Sequence, residues 1–87
     1  MKVVTLTQVN EKREISLNSF GFMNQTIFAT VDDALYHLFI TNPINSTISI
    51  KKTSDDFAWI TIEYPTENKN KYFELHIVEP LSFGEAV

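Results

Sequence analysis

The chain has 87 residues and a mass of 10.0 kDa, so we expect residues 1–87 to form one domain, because a second core would need roughly 50 more residues. Apolar residues make up 44% of it and eleven are aromatic (seven Phe, three Tyr, one Trp), too many for a disordered chain and too often interrupted for a transmembrane one. The net charge is −4, from +1 on residues 1–52 and −5 on residues 53–87, and no stripe of lysine and arginine is long enough to bind nucleic acid or an anionic membrane.

The absence of cysteine excludes several kinds of catalytic and metal-binding site. Without cysteine there is no disulfide, thiolate nucleophile or iron–sulfur ligand, and two histidines alone cannot complete a structural zinc site, so no cofactor is expected. Met1-Lys2 leads into Val3-Val4-Thr5-Leu6 and not into the roughly 7 to 15 apolar residues of a signal peptide, which predicts a cytoplasmic protein. A domain this small depends on a dense core or on a partner subunit.

The N-terminal part of the chain is predicted to be mostly strand. Lys2–Val9 is β-branched and alternating, which indicates a strand, and the polar segment Asn10–Glu14 indicates a turn. Glu14–Leu17 could be the return strand of a hairpin. Asn18–Asn24 is predicted to be an irregular loop, and Gln25–Ala29 a short strand that leads into a helix.

The helix has the clearest local signal and is predicted over Val31–Thr41. Thr30 followed by Asp33 is typical of a capped N-terminus, and Asn42-Pro43 ends the helix. One arc of the helix is apolar and should face a sheet: Val31, Ala34, Leu35, Leu38 and Phe39. Tyr36 and Ile40 lie on the opposite side, where either Ile40 tucks under the Pro43 loop or the pair contacts a partner.

After Pro43 the pattern predicts a three-stranded antiparallel meander over Thr47–Lys52, Asp56–Tyr64 and Lys71–Val78. The alternation puts one aliphatic set toward the helix: Ile48, Ile50, Ala58, Ile60, Ile62, Phe73, Leu75 and Ile77. Lys52 should face Asp56 across the first turn. For the second hairpin we expect Ile60 opposite Leu75, with Pro65–Asn70 as the turn, because another register would set Glu63 against Glu74.

The other face of the meander should then carry Phe57, Trp59, Tyr72 and His76, with Trp59 opposite His76. A soluble antiparallel sheet usually keeps its outer face polar. This aromatic face is therefore either covered by the N-terminal strands or is a recognition patch. Trp and Tyr are the residue types that most often anchor interfaces.

Two groups of residues could have a catalytic role, and both have simpler structural explanations. His37 follows Asp33 by four residues on the helix, and His76 could join Glu74 and Thr61 on the outer sheet face. Charge interactions on the surface of a helix explain the spacing of Asp33 and His37 without catalysis. The group on the outer sheet face lies on an open sheet, which offers no oxyanion hole. The sequence therefore predicts a protein that is not an enzyme.

These observations predict an α+β fold, with a single helix packed on an antiparallel sheet of about four to six strands in the order ββ(β)αβββ, or a sandwich closed by the N-terminal strands. The function expected first is a small protein–protein interaction module, in one form a homodimer, whose contacts are Phe57, Trp59, Tyr72, His76, Tyr36 and Ile40. Residues 79–87 would be a frayed end, a flap on the sheet or an arm that docks on a second subunit.

Two alternatives remain open at this point. In the first, the protein is an acidic decoy for the basic groove of a nucleic-acid-binding protein, through Asp55, Asp56, Glu63, Glu67, Glu74 and Glu79. In the second, it is a small ligand-binding or hydrolase domain, for which an 87-residue chain has little interior volume. The high usage of Asn, Ile and Lys suggests an accessory protein of a bacterium or of its mobile elements.

Overall fold

The computed structural model describes residues 2–67 and 69–79. Apart from Glu79, the predicted tail of residues 79–87 lies outside these ranges. The elements are β1 (Val3–Val9), β2 (Gln25–Phe28), α1 (Val31–Thr41), β3 (Thr47–Ser54), β4 (Phe57–Tyr64) and β5 (Lys69–Val78). The strands form one antiparallel sheet in the order β2-β1-β5-β4-β3, with the helix on one face. The predicted α+β class and element order are confirmed. No helix in the described ranges is long and apolar enough to cross a bilayer.

The N-terminal strands extend the sheet and do not cover it. β1 pairs along its whole length with β5, from Val3 opposite Val78 to Val9 opposite Tyr72. β2 then pairs with the other side of β1 and forms one edge of the sheet, while β3 forms the opposite edge. The sandwich-like alternative is therefore wrong, because β1 uses both of its hydrogen-bonding sides within a single layer.

The helix begins and ends at the predicted residues. The Thr30 hydroxyl accepts a hydrogen bond of 3.1 Å from the amide of Asp33, which satisfies one of the free amides of the first turn. Ala34 and Leu38 are buried, as the apolar arc predicts. Phe39 was predicted to face the sheet and is instead 72% exposed, because α1 contacts the sheet along β1 and β2 and buries only Ala34 and Leu38 of its apolar arc.

One continuous core lies between the helix and the inner face of the sheet. It consists of Val4, Leu6, Ala34, Leu38, Ala58, Ile60, Ile62, Tyr64 and Leu75. Each fully buried aliphatic side chain stabilises the fold by about 1.5–3 kcal/mol. The inner face of β3 is less protected: Ile48 is half-buried and Ile50 is 51% exposed, so the predicted aliphatic face extends further than the helix covers.

The register of the second hairpin differs from the prediction by two residues. Ile60 lies opposite Phe73 and not Leu75, so Trp59 faces Glu74 and His76 faces Phe57. The inward and outward sets are unchanged, because a shift of two residues preserves the alternation of side chains. The observed register closes a tighter turn, with Tyr64 opposite Lys69, and it places the neutral Asn70 opposite Glu63.

Two other local predictions also need correction. The expected return strand Glu14–Leu17 is reduced to single bridges, Val9 with Ile15 and Leu17 with Met23. In the β3–β4 turn a bulge follows Lys52, so its ammonium group lies 3.7 Å from the carboxylate of Asp55 and not opposite Asp56.

The capping hydrogen bond gives a first testable prediction. Thr30→Ala should lower the free energy of unfolding by about 1 kcal/mol, because the amide of Asp33 loses its acceptor. Urea denaturation followed by circular dichroism measures the change. Thr30→Ser keeps the hydroxyl and should retain most of the stability, and an equal loss in both variants would show that the methyl group, not the cap, matters.

Candidate interaction surface

The outer face of the sheet carries the predicted aromatic cluster. Phe57 packs edge-on against Trp59, with ring centroids 4.7 Å apart, and against His76 at 5.4 Å. Tyr72 lies half-buried on β5, opposite Thr61 and not beside Phe57. The structure therefore brings Phe57, Trp59 and His76 together and places Tyr72 apart from their ring contacts.

The turn after β1 covers part of this cluster. The Asn10 side chain accepts hydrogen bonds from the amides of Lys12 and Glu14, at 2.9 and 3.0 Å, and Arg13 adopts a positive φ of 66°. That conformation places the guanidinium carbon of Arg13 4.1 Å from the ring centroid of Trp59. Trp59 is half-buried, with Arg13 and Phe57 both packed on its ring, so this face offers less aromatic surface than an uncovered patch would.

The candidate catalytic constellations are not assembled. The ring of His37 packs on Phe28 at 5.3 Å, and in the described chain it makes no ion pair with Asp33. In the observed register His76, Glu74 and Thr61 face three different partners, which are Phe57, Trp59 and Tyr72. Within residues 2–67 and 69–79, no three acidic or histidine side chains are placed to hold a metal ion.

The acidic side chains are also dispersed. Asp55 and Asp56 lie in the β3–β4 turn, whereas Glu67 lies in the β4–β5 turn, at the other end of β4. An eight-residue strand such as β4 separates these turns by roughly 25 Å. Glu63 on β4 and Glu74 on β5 lie between the two turns, and the decoy hypothesis stays a prediction.

A different surface is both apolar and open. A groove of about 650 Å³ lies between the second half of α1, the connection that follows it and the inner face of β3. We call it the α1–β3 groove, and it is lined by Leu35, Phe39, Ile40, Asn42, Pro43, Ile44, Ser46, Ile48 and Ile50. Phe39, Ile40 and Ile50 are more than half exposed and Ile44 is fully exposed. Tyr36, on the neighbouring side of the helix, is exposed as predicted.

A polar contact at the end of the helix fixes the shape of this groove. The side-chain amide of Asn42 donates a hydrogen bond of 2.6 Å to the carbonyl of Leu38, and its oxygen accepts one from the Tyr64 hydroxyl. Burial, with a smaller contribution from Glu67, raises the pKa of Tyr64, so the hydroxyl keeps the proton that it donates. The last turn of α1 is thereby attached to β4, while β3 beside it stays uncovered.

The groove runs beside an open edge of the sheet. β3 is the last strand of the described sheet, and none of the other described strands pairs with its outer side. Alternate amide and carbonyl groups along such an edge are free to pair with an added strand. Apolar side chains and unpaired backbone groups thus occur side by side.

Sequence reasoning identified Ile40 as an unusual surface residue but missed the groove. The sequence left two alternatives for Ile40, a place under the Pro43 loop or a contact with a partner, and the structure leaves Ile40 59% exposed. The missed signal was Ile44, an isoleucine in a turn between Pro43 and Asn45, where a buried position is not expected.

Comparison with known proteins identifies no relative. No protein-family model matches the sequence, and neither the curated proteins nor the solved structures include a significant match.

The contact between Arg13 and Trp59 can be tested by fluorescence, since Trp59 is the single tryptophan. Arg13→Gln should increase quenching of its emission by acrylamide and lower the free energy of unfolding by about 0.5–1 kcal/mol. Lys12→Gln removes a charge from the same turn and should change neither. Equal quenching in both variants would mean that Arg13 does not cover the ring.

The contact between Tyr64 and Asn42 gives a third prediction. Tyr64→Phe should lower the free energy of unfolding by about 1–2 kcal/mol, because the oxygen of Asn42 loses a buried donor. Since the folded pKa is raised, the contribution of the hydroxyl is complete below pH of about 10 and is lost as the pH rises through the folded pKa. Tyr36→Phe removes an exposed hydroxyl and should be neutral in urea denaturation, so a loss as large as that of Tyr64→Phe would contradict this assignment.

Proposed function

We propose that the protein is a small, non-enzymatic protein–protein interaction module whose contact surface is the α1–β3 groove together with the free edge of β3. The observation that carries the proposal is the row of exposed apolar side chains, Phe39, Ile40, Ile44 and Ile50, beside an unpaired strand. Together they expose on the order of 500 Å² of side-chain surface, which is near the upper end for a patch on a monomer.

The groove is suited to binding and not to catalysis. None of its nine lining residues is ionisable, so it contains no general acid, base or charged nucleophile. An apolar surface of this kind gains free energy when water leaves it, at roughly 25 cal/mol for each Å² buried. Its polar groups, from Asn42 and Ser46, already bond to the backbone at Leu38 and Pro43.

The geometry of the groove favours one class of partner. A segment that binds here would be extended and would add a strand to β3 through backbone hydrogen bonds. Every second side chain of that segment would point into the groove, and these side chains should be aliphatic, because Phe39, Ile48 and Ile50 surround them. The expected ligand is therefore a protein strand with apolar residues on one face.

The aromatic outer face of the sheet, which the sequence suggested as the contact surface, is not the main contact surface in this proposal. Trp59 is half-buried beneath Arg13, and Phe57 is half-buried beside it. Of the residues predicted as contacts, Ile40 lies in the groove and Tyr36 lies next to it on α1.

The proposal is tested by titration with a synthetic peptide in which isoleucine and serine alternate, flanked by lysines for solubility. Amide chemical-shift changes in the ¹⁵N-labelled protein should concentrate in Thr47–Ser54 and in residues 39–46. The double variant Phe39→Ser, Ile44→Ser should weaken binding by at least about tenfold, since each lost side chain is worth more than 1 kcal/mol of burial.

A matched control comes from the loop before β2. Phe20 and Phe22 are as exposed as Phe39 but lie outside the groove, so Phe20→Ser, Phe22→Ser should leave peptide binding unchanged. Equal weakening by both double variants, or shift changes centred on Trp59, would contradict the proposal.

A further inference from the structure

We infer that the strand which adds to β3 is β3 of a second copy of this chain, so that two sheets join edge to edge about a two-fold axis at Ser49. The inference rests on the proposed function, because it names the partner of the same surface. A two-fold interface requires a patch that complements itself. The sequence of β3, Thr-Ile-Ser-Ile-Lys-Lys-Thr-Ser, meets this requirement when the axis lies at Ser49.

In that register the isoleucines of the inner face meet. With Ser49 of each copy on the axis, Ile48 lies opposite the partner's Ile50 and Ile50 lies opposite the partner's Ile48. Residues directly opposite in an antiparallel pair share a face, so both helices lie on the same side of the joined sheet. The two α1–β3 grooves then face each other, and each isoleucine pair covers surface that the monomer leaves exposed.

The outer face adds complementary charge. Lys51 lies opposite the partner's Thr47, and within each copy Thr47 is paired with Glu63. Lys51 and the partner's Glu63 are therefore two strands apart, about 9.5 Å between backbones, and their extended side chains can meet above the small threonine. The pair occurs twice by symmetry. Within the described residues of one copy, neither Lys51 nor Glu63 has an ion-pair partner.

Registers with the axis at Ile50 or at Lys51 are less favourable. An axis at Ile50 would place Ile48 opposite the partner's Lys52, so that each Ile48 would lie beside a lysine instead of an isoleucine. An axis at Lys51 would set that lysine against its own copy, and like charges directly opposite each other destabilise a sheet. Lysines on an edge strand usually discourage pairing, but the register at Ser49 gives Lys51 a carboxylate partner.

The buried area is compatible with a stable pair. Phe39, Ile40, Ile44 and Ile50 expose on the order of 500 Å² in each copy, and the edge of β3 adds to the surface available for burial, compared with roughly 800 Å² for each partner of a standard interface.

Single cysteines test the register, since the chain has none of its own. Ser49→Cys should form a disulfide-linked dimer on mild oxidation, because opposite Cβ atoms lie roughly 5 Å apart. Thr47→Cys should not, since the two copies of residue 47 would be about 13 Å apart. A mixture of Thr47→Cys and Lys51→Cys proteins should give the mixed dimer. Thr47→Cys linking as fast as Ser49→Cys would overturn the inference.

Charge reversal tests the same contact without crosslinking. In sedimentation equilibrium, Lys51→Glu and Glu63→Lys should each raise the dimer dissociation constant by about tenfold, because each dimer then holds two like-charge pairs. The double variant Lys51→Glu, Glu63→Lys should restore dissociation to within about twofold of the original protein. A double variant as weak as the single variants would overturn the inference, and circular dichroism checks that each variant is folded.

The outcomes separate this inference from the proposed function. A protein that remains monomeric at millimolar concentration while the isoleucine–serine peptide still binds would overturn the two-fold dimer and leave the interaction surface intact. Failure of the peptide to bind, together with cysteine crosslinking at Ser49, would support the dimer and restrict the proposed contact surface to a second copy of this chain.

Discussion

The structure depends on where the single helix buries its apolar arc. Ala34 and Leu38 belong to one core cluster with side chains of β1, β4 and β5, and Asn42 holds the last turn to Tyr64. A helix about 10 Å wide cannot cover a five-stranded sheet whose strands lie nearly 5 Å apart. With its axis over one side of the sheet, the inner face of the far strand is left without a cover, and the groove is a direct result.

The same arrangement distinguishes the two apolar surfaces of the molecule. On the outer face the protein covers its own rings, through Arg13 above Trp59 and the contact of Phe57 with both of its aromatic neighbours. On the inner face beside β3, no described side chain covers the apolar residues in the way that Arg13 covers Trp59, and Ile44 is fully exposed. Apolar surface that a small domain leaves open next to a free strand edge is more informative about function than aromatic content.

Local features were predictable from sequence because their causes are local. Thr30, Asp33 and Pro43 determine the helix ends within a few residues, and strand alternation determines which side chains face inward. The pairing of β1 with β5 joins residues about seventy positions apart, and no local pattern specifies it. The hairpin register was wrong by two residues because both registers keep the same faces. Phe39 was misplaced because periodicity gives the direction of a side chain and not the width of the sheet beneath it.

The two edges of the sheet differ in length, and this difference has a consequence for growth. β3 offers eight residues for pairing, whereas β2 has four and is followed at once by the helix. If long edges pair with each other, each assembly is left with only short ends, which gain few backbone bonds from another chain. Association would then stop at a closed pair, and the unequal strands would protect a molecule with an exposed apolar edge from forming fibres.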